Sequence, residues 1–182
     1  MTPNEFSEAM VYLGSCMNTS YTEQQVRAWY TAFSSDSKND LIRAIQRYCT
    51  TSRFPPTIAD VKKQILILQY PVFELTAETE WACIQKAVQK YGQSQILEAE
   101  KSLHSLTLEA VRMIGGLSFI CRSSQVLELR SHFIQTFDLL LQKKLHLLSL
   151  PKTAMTTKEL EDKRRFLDEY SCCSTALTVS TQ

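Results

Sequence analysis

Few side chains in this sequence are spaced to carry out covalent chemistry. The three histidines, His104, His132 and His146, stand apart from one another, and none has a paired carboxylate or nucleophile motif beside it. They read as structural or surface residues. The cysteines, Cys16, Cys49, Cys83, Cys121, Cys172 and Cys173, include no pair at metal-ligand spacing and have no histidine placed to complete a site. Four of them lie in helical patterns, where cysteine serves as a small buried hydrophobe. No Gly-x-x-x-x-Gly-Lys-Ser/Thr stretch occurs, and Gly115-Gly116 lacks the strand that precedes a phosphate-binding turn. The expectation is a protein that is not an enzyme, with no metal, no cofactor and no ATPase activity of its own.

Binding chemistry remains, and two sets of residues offer it. Arg43 and Arg47 stand one helical turn apart, and Arg53, Lys62 and Lys63 follow closely enough to join them in a phosphate-contacting patch. The competing reading is a solvated helix face, with Asp40 three residues before Arg43. The second set is Leu160, Phe166, Leu167 and Tyr170, on a short amphipathic segment late in the chain. An apolar face outside a core would dock into a groove on another protein. The alternative is a helix packed back on the preceding unit. A net charge of +1 gives no general pull toward nucleic acid or an anionic membrane.

The elements that must position these residues are helices. Four glycines and five prolines in 182 residues, with 44% hydrophobic content, describe helices joined by short loops around a core. Helix starts are written as Thr2 with Glu5, Thr22 with Gln25, Thr57 with Asp60 and Thr156 with Glu159, each hydroxyl three residues ahead of an acid or amide. Thr76 and Thr107 are read as further caps, and Ser123 or Ser124 as the start of a long helix carrying Leu127, Phe133 and Phe137 inward. Pro71 and the unpatterned residues around it mark a boundary. The expected class is all-α: two small helical bundles in tandem, then a partly disordered C-terminal tail with one short helix. The expected division is 1–70, a four-helix module; 76–150, a second helical unit ending in a long helix; and 151–182, a mobile tail. No apolar run reaches the length of a membrane span, and the chain reads as a cytoplasmic protein.

The most distinctive segment is Ser52-Arg53-Phe54-Pro55-Pro56-Thr57-Ile58-Ala59-Asp60-Val61. A residue before proline is driven out of the α region, so Phe54 and Pro55 are extended and one helix must stop before Thr57 starts another. Phe54 under this corner is expected to be core, as is Trp29. Together with Trp29, Leu41, Ala44, Ile45 and Tyr48, the segment resembles the phage replicative-helicase loader/inhibitor family. Residues 76–147 look less distinctively like a second helical unit found after this module in longer phage proteins. The compact members have no obvious equivalent of it.

The resemblance implies a phage protein in a bacterial host that binds a hexameric DnaB-type helicase, restrains it and hands it to an origin-bound replication organiser. It also implies a C-terminal segment that contacts the helicase, matching the docking reading of Leu160, Phe166, Leu167 and Tyr170. A different class stays open: a helix-turn-helix-like DNA-binding initiator or regulator using the Arg43 helix, the elbow and the Thr57 helix. The Pro-Pro corner weighs against it, because such motifs turn on a short segment that often contains glycine. An inhibitor of a host replication protein is a third reading.

Overall fold

Hydroxyl caps set where the first helices begin. A computed structural model describes residues 1–150 and 155–171. In it, α1 (Pro3–Met17), α2 (Glu23–Phe33) and α4 (Ile58–Gln69) open with complete capping boxes: Thr2 with Glu5, Thr22 with Gln25 and Thr57 with Asp60. Ser37 caps α3 (Lys38–Thr51) by accepting from the Asp40 amide. Each such cap contributes about 1 kcal/mol to its helix. Apolar residues at helical spacing then build one core: Phe6, Met10 and Leu13 from α1, Trp29 and Phe33 from α2, Leu41 and Ile45 from α3, Val61 and Ile65 from α4.

The chain divides into two compact units: Met1–Pro71 with the described residues from Leu147 on, and Val72–His146. A 3-10 turn at Pro71–Glu74 leads into the second unit, which holds α5 (Ala77–Tyr91), α6 (Ile96–Lys101), α7 (Ser105–Met113), α8 (Leu117–Arg122) and most of α9 (Val126–Ser149). Trp81 of α5 meets Phe133 of α9 at 5.5 Å between ring centres, and Phe133 meets Phe137 at 5.6 Å. Gly115 and Gly116, with φ of 113° and 85°, separate α7 from α8. These are backbone conformations that side chains with a Cβ rarely adopt.

The helical cysteines are not buried hydrophobes as expected: Cys16 and Cys83 are exposed, and Cys49 and Cys121 only half-buried. Two further expectations in the second unit are corrected. Thr107 does not cap a helix: α7 starts at Ser105, and the Thr107 hydroxyl, fully buried, donates to the carboxyl group of Glu80 on α5. Leu127 is not inward but 80% exposed. The buried stripe of α9 runs through Leu129, Phe133, Phe137 and Leu140, and a residue two before Leu129 points to the other side of the helix.

The last described helix, α10 (Thr157–Ser171), opens with Thr156 and Glu159 exchanging hydrogen bonds, as the sequence predicts. It groups with the first unit, where the sequence reading sets a separate tail. The expectations for residues 172–182, including Cys172 and Cys173, lie outside the described residues. All regular elements among the described residues are helical, so the all-α class holds. No helix of them is long and apolar enough to cross a membrane.

Candidate partner-binding surfaces

The elbow is built from its first residue outward. Ser52 ends α3: its amide donates to the Tyr48 carbonyl at 2.9 Å, and its hydroxyl accepts from the Phe54 amide at 3.2 Å. The same hydroxyl bonds the Tyr48 hydroxyl at 3.1 Å. Pro56 is buried, and Thr57 then starts α4, with the Asp60 carboxylate taking the Thr57 amide at 2.8 Å and its hydroxyl at 2.7 Å. The corner is therefore fixed on both sides.

Phe54 is not core. Its side chain is 77% exposed, because the extended path imposed by Pro55 and Pro56 turns Pro56 inward and leaves Arg53, Phe54 and Pro55 in solvent. Trp29 is buried as expected, stacked on Phe33 at 5.7 Å.

The basic set divides. Lys62 belongs to the fold: its ammonium pairs with Asp36 at 2.5 Å and sits 4.7 Å from the centre of the Phe33 ring, with both charged side chains largely covered. It is unavailable to a phosphate, and α4 turns it away from its neighbour Lys63, which is exposed. Arg47 is half-buried and engaged within the chain. Arg43, Arg53 and Lys63 are exposed and carry no ion pair among the described residues. Helical spacing sets Lys62 beside the buried face of α4 and Lys63 away from it, but the pair with Asp36, in the loop before α3, is a tertiary contact that spacing does not reveal.

The α10 set is covered rather than free. Phe166 is 4% exposed, stacked on Tyr170 at 4.4 Å and edge-on to Tyr70, at the end of α4, at 5.9 Å. Leu160, Leu167 and Tyr170 are half-buried. Lys163, which looks like a defect in the apolar stripe, donates to the carbonyls of Leu148 at 2.9 Å and Leu150 at 3.1 Å. It thus satisfies acceptors left open at and just beyond the last turn of α9.

Among the described residues no group of three His, Cys, Asp or Glu is placed to hold a metal ion. Cys49 is half-buried, and burial, with Cys16 beside it, pushes its thiol up to about 11. Such a thiol is unsuited to act as a nucleophile near neutral pH.

The described residues form an all-helical protein with an elbow exposed at Arg53, Phe54 and Pro55. Residues 1–62, running from α1 through the elbow into the first turn of α4, match the model for the N-terminal domain of the gp39P family. This is the phage helicase loader/inhibitor family that the elbow sequence resembles, a family of accessory proteins in DNA replication. No curated protein and no solved structure matches the chain.

Proposed function

We propose that this protein binds a hexameric DnaB-type replicative helicase of the phage's bacterial host, restrains it and delivers it to the origin, without hydrolysing nucleotide itself. The observation that carries this reading is the family match over residues 1–62, together with an elbow that leaves Arg53, Phe54 and Pro55 in solvent. Binding one conformation of the ring more tightly than another lowers ATP turnover and favours an open ring, and the shift is limited by the difference in affinity for the two states. An origin-bound organiser is the natural recipient of the restrained helicase. In this proposal Leu160, Phe166, Leu167 and Tyr170 contribute a second helicase contact, which requires α10 to leave Tyr70.

The DNA-binding reading is weaker than the sequence suggests, because Lys62 is committed to Asp36. Titrating the pure protein into a DnaB-type helicase while following ATPase rate tests the proposal. A saturable, several-fold change in rate is expected, and an unchanged rate at excess protein, with no complex formed, overturns it.

A further inference from the structure

Phe54 is a large apolar side chain in a segment with little freedom to move. Two prolines follow it, its own amide is held by Ser52, and the next helix begins just beyond them in a closed capping box. A side chain presented from so stiff a corner loses little conformational entropy when a partner covers it. Exposed aromatics of this kind, when they fill a pocket, are the residues that dominate protein interfaces.

The surroundings select the partner. Arg53 adjoins Phe54 in the chain, Lys63 lies in the second turn of α4 beyond the corner, and Arg43 lies on α3; all three are exposed, while Asp60 is occupied by Thr57 and Asp40 accepts from Gln69. Exposed cations on the elements flanking the corner complement carboxylates. Single-stranded nucleic acid would also meet cations and an aromatic face, but strand-binding platforms stack successive bases on several aromatics. Here the neighbouring aromatic, Tyr48, is half-buried and bonded to Ser52. A lone ring on a fixed corner fits a pocket better than a strand.

We propose that the elbow is the principal anchor of the N-terminal unit on the helicase, with Phe54 entering an apolar pocket of the DnaB-type ring and Arg53, Lys63 and Arg43 facing carboxylates on its rim. This rests on the helicase reading above and adds the surface that performs it.

The test compares full-length wild type, Phe54→Ala and the double variant Arg53→Glu/Lys63→Glu for affinity to a purified DnaB-type helicase. Thermal melting checks that each is folded, and a labelled oligo-dT is run in parallel. The expected result is a loss of affinity of about 10- to 100-fold for Phe54→Ala, the range of interface hot spots. The double variant should bind more weakly mainly through slower association, with a reduced salt dependence. If wild type binds and Phe54→Ala binds equally well, the anchor is elsewhere while the helicase reading stands. If wild type does not bind helicase at all, both fall together. Oligo-dT binding that is lost in Phe54→Ala, with helicase binding intact, overturns the proposal in favour of base stacking.

Discussion

Thr107 presents its hydroxyl to the carboxyl group of Glu80 inside the second unit, where Glu80 is 3% exposed and Thr107 fully buried. Replacing Thr107 by Val keeps the shape and removes the donor, so it should cost about 1–3 kcal/mol, the penalty of an unsatisfied buried group. Chemical denaturation measures it, and an unchanged midpoint would mean the pair contributes nothing. Cys49 gives a second residue-scale expectation. With its thiol pushed up to about 11, alkylation at pH 8 should be far slower at Cys49 than at exposed Cys16 and Cys83, and should accelerate only as pH rises toward 11. Peptide mapping after iodoacetamide treatment reads this directly; equal labelling of all three at pH 8 would contradict it. Lys62 offers a third. Lys62→Met leaves Asp36 largely covered and unpaired, and should destabilise the first unit by about 1–3 kcal/mol, below the roughly 3–5 kcal/mol of a fully buried pair.

At the scale of elements, the helices most legible in the sequence are those whose cap has a reciprocal partner. Thr2, Thr22, Thr57 and Thr156 each have an acid or amide three residues on, and each starts a helix in the structure. Thr107 has Ala110 at that position, and its hydroxyl serves a tertiary contact instead. The elbow was legible as a corner because proline restricts its predecessor locally, but which of its side chains faces the core depends on Pro56 packing inward, a tertiary outcome. Lys163 was likewise opaque, since its acceptors lie on another element. Between α7 and α8, a Cβ on Gly115 would come within 2.9 Å of the Phe119 ring, at a φ of 113°. Gly115→Ala should therefore cost about 1–3 kcal/mol in strain. For α10, Phe166→Ala should raise hydrogen exchange across Thr157–Ser171 while α1 to α4 stay protected. Equal exchange in wild type and variant would show that the Tyr70 contact does not hold the helix.

For the whole molecule, each compact unit has buried apolar residues of its own, and the division falls after Pro71, where helical periodicity stops in the sequence. The grouping of α10 with the first unit was not legible, because an amphipathic stripe records that a helix has an apolar face and not what covers it. That grouping changes the expected effect of removing residues 156–182. With Phe166 buried, truncation should lower stability measurably in a thermal melt and expose Tyr70, where a free tail would leave the midpoint unchanged. Association with a DnaB-type ring is the central property proposed for this protein. Native mass spectrometry of the helicase hexamer mixed with the intact protein tests it most directly. The expected spectrum holds a species heavier than the hexamer by one or more copies of this chain; a spectrum holding only free hexamer and free protein at micromolar concentration would contradict the association.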